Sequence, residues 1–250
     1  MSTLLSNTRQ TGYELQSEGP TPARVWGDQW LRVSEKVLKG LNHQLTNRVA
    51  ALEAVVGMCD DDGTIDPEVM RAMADEVTRL SHLLILYRCM PAEPFAGAEP
   101  VRLQDVIPQL LELHGHHADL RNITVEVNAN EETLPLLVRP SALLRCLLVV
   151  LESGAGNALR SGIYGPLTLS YSGDGREVRV IFESPQPPGQ LLFTGEGSIV
   201  HAVRSALAHA HAVFGAAVIH GESGERIRYE LRLPTLPEAR RIEREGNTAL

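Results

Sequence analysis

The feature that most constrains the fold of this chain is a heptad pattern of apolar residues between two prolines. Its apolar positions alternate in steps of three and four residues: Met70, Met73, Val77, Leu80, Leu84 and Tyr87. This spacing predicts an amphipathic helix. Asp66 provides an N-cap and Pro67 a first helical position, and the helix is expected to end before Pro91.

The preceding segment, from about Gly27 to Met58, is also predicted to be a long helix. Its apolar stripe recurs with similar steps at Leu38, Leu41, Leu45, Leu52 and Val55. Two antiparallel helices of this kind form a hairpin, but one hairpin cannot bury both stripes by itself. We therefore expect two copies to pair into a four-helix bundle, which predicts a homodimer.

One imidazole, His43, lies off the apolar stripe of the first helix. It falls two residues past Leu41, on the side that faces away from a partner helix. Lys39 lies one turn before it and Asn47 one turn after it on the same stripe, so a cation and an amide can contact a group attached to the ring. The hypothesis is a phosphoryl-accepting histidine, and the alternative is a surface histidine without a chemical role.

Composition excludes several classes of function. With 250 residues, 43% of them hydrophobic, the chain is long enough for two small domains with cores, and its net charge of −8 argues against binding nucleic acid or anionic membranes. Three widely spaced cysteines indicate a reducing compartment. No apolar run approaches the ~20 residues that cross a bilayer. We therefore expect a cytoplasmic protein whose partners are proteins or small molecules.

The chain divides into five predicted segments. Residues 1–25 are a flexible arm, residues 26–90 the helical hairpin, and residues 91–100 a proline-containing linker. Residues 101–235 form a second domain, and residues 236–250 a charged tail. In the second domain we predict helices at 103–118, 141–159 (capped by Ser141) and 198–214, with strands at 123–128, 136–138, 167–171, 177–182, 217–220 and 227–233. This order indicates an α+β sandwich, with helices on one face of a mixed sheet.

This layout resembles the core of two-component histidine kinases, over about Gly27 to Thr235. In the first helix, His43 and Asn47 match the family's phosphoacceptor box, whereas Gln44 stands where the family has an acid and Arg48 where it commonly has proline. The second domain is similar to the GHKL (Bergerat-like) ATPase fold, and Gly215 stands where that family has a glycine before its penultimate strand.

The departures from the family are concentrated where ATP would bind. Val149 and Ser153 occupy the two positions of the asparagine box, and Asn157 could replace them only after a shift of one helical turn. Glu183 is the candidate for the adenine-binding acid, with prolines in the loop after it. The second glycine box survives only as residues 195–198. The vestigial nucleotide positions are therefore Ser153, Asn157, Glu183, Gly195 and Gly197.

The resemblance implies a histidine phosphotransferase that descends from a kinase and has lost ATP. Such a protein would relay phosphate between receiver domains of response regulators through His43, supported by Lys39 and Asn47, with no metal and no bound cofactor. Two alternatives stay open. One is a divergent kinase that uses ATP and Mg²⁺, and the other is a dimeric scaffold that docks response regulators without chemistry.

A second group of histidines, His114, His116 and His117, lies at the end of a predicted helix. The sequence offers these side chains no cysteine and no clear carboxylate partner, so a metal site is not expected. Their place at a helix C-terminus, where partial positive charge is favourable, is a sufficient explanation.

Overall fold

The helical hairpin opens the part of the chain that the structure describes. The structure is a computed structural model, and it describes residues 21–58, 66–90, 97–129, 132–162, 166–185, 198–221 and 224–248. Helix α1 spans Pro22–Val56 and helix α2 spans Pro67–Arg88. The predicted start of α2 is confirmed, because the Asp66 carboxylate accepts a hydrogen bond from the Glu68 amide at 2.7 Å.

A five-stranded mixed sheet forms the second part of the molecule. Two short strands, β1 (Glu99–Val101) and β3 (Leu136–Val138), pair with each other outside that sheet. The sheet has the order β2-β4-β5-β7-β6, in which β2 and β4 are parallel and the other pairs are antiparallel. Its strands are β2 (Val125–Ala129), β4 (Leu167–Gly173), β5 (Glu177–Pro185), β6 (Val213–Gly221) and β7 (Gly224–Pro234).

Three helices cover one face of this sheet, and a fourth follows the last strand. They are α3 (Leu103–Gly115), α4 (Pro140–Ser161) and α5 (Ile199–Ala206), followed by α6 (Leu236–Thr248). The core lies between the sheet and α4, where Leu147 and Leu151 are fully buried together with Phe182 of β5. The predicted α+β class, with a helical hairpin followed by a sandwich, is confirmed.

Helix α4 is long and largely apolar. Among the described residues it is the one helix long and apolar enough to cross a membrane, but 78% of its apolar window is buried inside the protein. Such burial is what the central helix of a folded core shows. The length and composition of α4 are therefore explained by packing.

The hairpin packs directly against the second domain through α1. Val33, Val37 and Leu41 belong to the same buried cluster as the core of α4. At Gly40 the two parts touch closely, because a Cβ at that position would lie 1.7 Å from the carbonyl oxygen of His116. The Ala118 amide also donates a hydrogen bond to the carbonyl of Lys36 at 3.3 Å. Only glycine permits this contact in the middle of the helix.

The predicted seam of α2 does not face the core. Its heptad positions Met70, Val77 and Leu84 are 51%, 50% and 50% exposed in the single chain. The buried positions of α2 are instead Glu76, Leu83 and Leu86. The seam is therefore an apolar stripe that this chain leaves open to solvent, and pairing with a second copy stays a prediction.

Several predicted element boundaries are wrong. The helix predicted at 198–214 ends at Ala206, because the chain then makes a short 3-10 turn and His211 adopts a left-handed backbone with φ of 52°, after which β6 begins. Ser141 is not the cap of α4, which begins at Pro140 with Arg139 in the cap position and no capping side chain. Strand β1 begins inside the predicted linker, of which residues 91–96 lie outside the described residues.

Candidate functional site

His43 lies in the middle of α1 with its side chain exposed. The Asn47 side-chain amide donates a hydrogen bond to His43 Nε2, with 3.3 Å between the two nitrogens. An amide nitrogen can only donate, so in this contact Nε2 carries the lone pair and Nδ1 the proton. The structure thus brings together the imidazole and the amide that the sequence placed one helical turn apart.

The orientation of His43 follows from the packing of α1. Val37 and Leu41 are fully buried against the second domain, so the opposite side of the helix is turned outward. A residue two positions past Leu41 is rotated by about 200° around the helix axis, since each residue advances about 100°. The apolar residues of α1 therefore determine that the His43 ring faces solvent.

Two lysines near His43 differ in their partners. Lys36 makes an ion pair with Asp119 at 2.6 Å, and the hydrogen bond in this pair raises the pKa of Lys36 and lowers the pKa of Asp119. Lys39, one turn before His43, is exposed and makes no hydrogen bond or ion pair with any residue that the structure describes. Lys39 is therefore the cation available to a group bound at His43.

The two departures from the phosphoacceptor box have different environments. Gln44 is half-buried next to His43 and carries no ionisable group that could accept a proton from the ring. Arg48 contacts Glu76 of α2 at 3.3 Å, and the same Glu76 oxygen lies 2.6 Å from Arg79. Arg48 thus links the two helices of the hairpin, which is a structural role that a proline at this position could not supply.

On the face of α4 where the resemblance predicts a nucleotide site, the polar side chains of Ser153 and Asn157 have contacts inside the domain. The Ser153 hydroxyl and the Tyr229 hydroxyl of β7 lie 3.2 Å apart. Asn157 accepts a hydrogen bond from Arg160, and Val149 is buried without a polar side-chain atom. Burial raises the pKa of Tyr229. Val149 and Ser153 therefore offer no amide oxygen for Mg²⁺, so the residues at these positions do not fit a metal-bound nucleotide.

A buried histidine and carboxylate cluster lies beside this face. His117 Nδ1 accepts hydrogen bonds from the Asp119 and Leu120 amides, so its Nε2 donates to Glu152 of α4 at 2.8 Å. His114 donates from Nε2 to the carbonyl of Ile123 at 3.1 Å, and its Nδ1 lies 3.9 Å from the other Glu152 oxygen. Both histidines and Glu152 are buried.

The expectation that these histidines have no carboxylate partner is therefore wrong. Glu152 is the signal that the sequence offers, because it is the only charged residue between Leu147 and Asn157 in a long apolar helix. A buried carboxylate needs hydrogen-bond donors. The described residues nevertheless contain no group of three or more histidine, cysteine or acidic side chains arranged to hold a metal ion.

Glu183, the candidate for the adenine-binding acid, lies on the other face of the sheet from α4. It pairs with Arg228 of β7 at 2.6 Å, and Arg226 lies 3.8 Å away. Its neighbour Ser184 is the residue that faces α4, since a Cβ on Gly154 would contact the Ser184 side chain. The structure therefore keeps Glu183 apart from Ser153 and Asn157.

The second glycine box cannot be compared with this face. Gly195 and Gly197 lie outside the described residues, as does Gly189 of the first box. Of the five vestigial nucleotide positions, the described part of the chain brings two together, Ser153 and Asn157. Both of these side chains are in contact with neighbours inside the domain.

Comparisons with known proteins give similarities of shape only. No protein-family model matches the chain, and no curated protein matches it. The histidine kinase AdeS of Acinetobacter baumannii overlays with a TM-score of 0.43 and 15% identity, covering 78% of this chain and 98% of that chain.

Two further solved structures give similar values. The histidine kinase ThkA in complex with the response regulator protein TrrA overlays with a TM-score of 0.43 and 16% identity, covering 83% of this chain and 64% of that chain. A bacterial phosphotransferase overlays with a TM-score of 0.38 and 14% identity, covering 80% and 96%. Values this low carry no function from one protein to another.

Proposed function

We propose that this chain is a histidine phosphotransferase that relays phosphate between receiver domains through His43 without using ATP. The observation that carries the proposal is the exposed imidazole of His43, whose Nε2 lone pair is oriented by Asn47 on a helix surface that a partner domain can reach. Lys39 on the same stripe adds a cation without an internal partner. These residues belong to α1 and need no contribution from the second domain.

The chemistry asked of His43 is a nucleophilic attack. The Nε2 lone pair attacks the phosphorus of an aspartyl phosphate, the nitrogen–phosphorus bond forms, and the bond from phosphorus to the aspartate oxygen breaks. The electron pair of that bond leaves with the receiver's carboxylate. The reverse step returns the phosphoryl group to a second receiver. Lys39 offsets part of the negative charge that the phosphoryl group brings to α1.

An aspartyl phosphate is already an activated donor, and we assign its Mg²⁺ to the receiver that carries it. A chain that accepts phosphate from such a donor can therefore lack both a nucleotide site and an acid next to the histidine. Gln44 and the internal contacts of Ser153 and Asn157 are compatible with this reaction and unfavourable for one that starts from ATP. We therefore propose that the protein acts with no bound cofactor.

We also propose that the working unit is a homodimer. The support is the open stripe on α2, where Met70, Val77 and Leu84 repeat every seven residues and are half exposed. A seven-residue repeat of this kind is what a helical bundle buries. A Leu84→Glu variant is expected to run at the mass of one chain in light scattering, whereas wild type and the exposed control Ser81→Glu run at twice that mass. A wild-type protein at the mass of one chain contradicts the dimer.

The support for a compartment comes from one thiol. Cys146 is a free, buried cysteine, and burial raises the pKa of its thiol beyond its usual range. Unpaired thiols fit a reducing compartment. We therefore propose that the relay takes place in the cytoplasm.

The test of the proposed function is transfer of label from a receiver domain that carries a radiolabelled aspartyl phosphate. Wild type is expected to acquire acid-labile, base-stable label, and His43→Gln is expected to acquire none. His220→Gln, which removes an exposed histidine on β6, serves as the matched control and is expected to label like wild type. Absence of label in wild type would leave a docking scaffold and would remove the proposed chemistry.

A further inference from the structure

A cleft of about 490 Å³ lies between the hairpin and the second domain. One wall is a face of α1, the opposite wall is the part of α4 from Val149 to Arg160, and the loop after α3 closes one end. Its volume is within the range of small-molecule sites in proteins. Nothing in the phosphotransfer reaction proposed for His43 uses this cleft.

The charges that line the cleft are unequally compensated. Lys36 and Asp119 neutralise each other as an ion pair at 2.6 Å, and Glu152 accepts a hydrogen bond from His117 at 2.8 Å. Arg32 makes no hydrogen bond or ion pair with any described residue, and within the described part of the chain Arg160 hydrogen-bonds only to the amide oxygen of Asn157. Two guanidinium groups without a carboxylate partner thus line a cleft in a protein whose net charge is −8.

The remaining walls of the cleft are apolar. Val33 and Val149 are buried on opposite walls, and Leu120 lies at the closed end. Leu159, on α4 next to Arg160, is 51% exposed, which is an unusual position for a leucine inside a concave surface. Apolar walls beside uncompensated guanidinium groups complement a molecule that has an apolar body and an acidic group.

We propose that this cleft binds a small organic anion with an apolar body, whose carboxylate or sulfonate-like group is held by Arg32 and Arg160. Guanidinium groups pair with planar or tetrahedral oxyanions through two hydrogen bonds at once, without a metal ion. A metal-bound triphosphate does not fit the same lining, because the carboxylates of Asp119 and Glu152 would lie beside its charge. The inference does not depend on phosphotransfer by His43.

Because the walls come from α1 and α4, an occupant would contact the hairpin and the second domain together. A ligand that binds only this docked arrangement stabilises it by mass action. Saturating ligand is therefore expected to raise the melting temperature of the protein. This stabilisation requires the two walls to be present in one molecule.

The test uses anilinonaphthalene sulfonate, which has an apolar ring system and one sulfonate. The chain has two tryptophans, Trp26 and Trp30, and both lie on α1 within one turn of the residues that line the cleft. Energy transfer from tryptophan to the dye therefore reports dye bound within reach of α1, and the variants that follow assign the dye to the cleft. A single saturable transition is expected for wild type.

Variants then assign the site. Arg32→Gln and Arg160→Gln are each expected to raise the dissociation constant at least fivefold, whereas Arg160→Lys keeps the charge and loses less. Gly156→Leu is a second way to close the cleft, since a Cβ there would lie 3.6 Å from Arg160 and the side chain would extend into the space. The matched control is Arg71→Gln on the exposed side of α2, which is expected to bind the dye like wild type.

Melting curves of each variant show that the protein is folded before the dye is added. Equal dissociation constants for wild type, Arg32→Gln, Arg160→Gln and Gly156→Leu would overturn the proposal, because the dye would then bind another apolar surface. Displacement of the dye by Mg²⁺ and ATP at the same sites would also overturn it, since the cleft would then be a nucleotide site.

Discussion

Polar side chains are exposed to solvent in the middle of α1, whereas those on the inner face of α4 have contacts inside the domain. Around His43, the imidazole and the Lys39 ammonium are open to solvent, and the Asn47 amide contacts the ring. On α4, Ser153 contacts Tyr229 and Asn157 contacts Arg160. Ser153 and Asn157 lie at the positions where the resemblance predicts a nucleotide site.

This difference indicates which part of the molecule has polar groups available to bind another molecule. A polar group buried inside a protein must be hydrogen-bonded to the protein, because burial removes its hydrogen bonds to water and leaving it unpaired costs free energy. Once paired internally, it can bind a ligand only by giving up that contact. The Ser153 hydroxyl and the Asn157 amide are in this position, whereas near His43 the Lys39 ammonium makes no hydrogen bond or ion pair with a described residue and Nε2 is hydrogen-bonded by the exposed Asn47 amide. A reaction at His43 would therefore leave the core undisturbed.

The largest effect is expected where the two regions meet, at Gly40. A Gly40→Ala change places a methyl group 1.7 Å from the His116 carbonyl oxygen, so the backbone of α1 or of the loop must move. We expect a loss of about 3 kcal/mol in the free energy of unfolding, the upper end of the range usual when a packed contact is overfilled.

Gly27→Ala is the matched control for Gly40→Ala in the same helix. No atom lies within 4 Å of a Cβ at Gly27, so alanine there is expected to stabilise the protein by about 0.5–1 kcal/mol. Urea unfolding of both variants measures the two free energies. Equal stabilities would mean that α1 does not dock on the second domain in solution.

A smaller effect is expected from ionising Tyr229, which tests the closed face of α4. Burial raises the pKa of Tyr229 above the ordinary tyrosine value of 10.0, so the folded state holds this proton more tightly than the unfolded state does. The stability that this proton contributes is complete below pH 10 and is lost as the pH rises through the raised pKa.

Unfolding measured between pH 8 and pH 11 checks this prediction. The free energy of unfolding of wild type is expected to fall above pH 10 by up to about 1.4 kcal/mol per pH unit more steeply than that of Tyr229→Phe, the limit for one proton. Parallel curves for the two proteins would show that Tyr229 is not enclosed in the domain. The contrast between the exposed residues of α1 and the buried residues around α4 would then fail.

The smallest effect is expected at Asn47. Removing its hydrogen bond to His43 Nε2 in Asn47→Ala releases the orientation of the ring, which is worth about 0.5–1.5 kcal/mol for one such bond. We expect a two- to tenfold slower transfer from a phosphorylated receiver, with unchanged thermal stability because Asn47 is exposed. A Thr46→Ala change on the neighbouring exposed position is the control and is expected to leave the rate unchanged.

Much of the fold could be predicted because local signals coincided with tertiary packing. Asp66 and Pro67 mark the start of α2 by capping chemistry that acts within one turn. The turn between β4 and β5 has a signal of the same range, since the Asp174 carboxylate accepts hydrogen bonds from the Arg176 and Glu177 amides nearby in sequence. Signals of this range can be found without knowing the rest of the chain.

The parts that could not be predicted depend on distant partners. The pairing of His117 with Glu152 joins residues 35 positions apart, and only the docking of α3 on α4 brings them together. The face of the sheet on which Glu183 lies depends on the register of β5 with its neighbouring strands, and a single sequence leaves that register open. Similarly, the heptad of α2 predicts an apolar stripe but not which surface covers it.

The most direct test of phosphate transfer without ATP is a labelling experiment with two phosphate donors on the same preparation of protein. One sample receives labelled ATP with Mg²⁺, and the other a receiver that carries a labelled aspartyl phosphate. We predict that the wild-type chain acquires label from the receiver and none from ATP. Label acquired from ATP at His43 would contradict it, because the inner face of α4 would then hold a nucleotide despite its internal contacts.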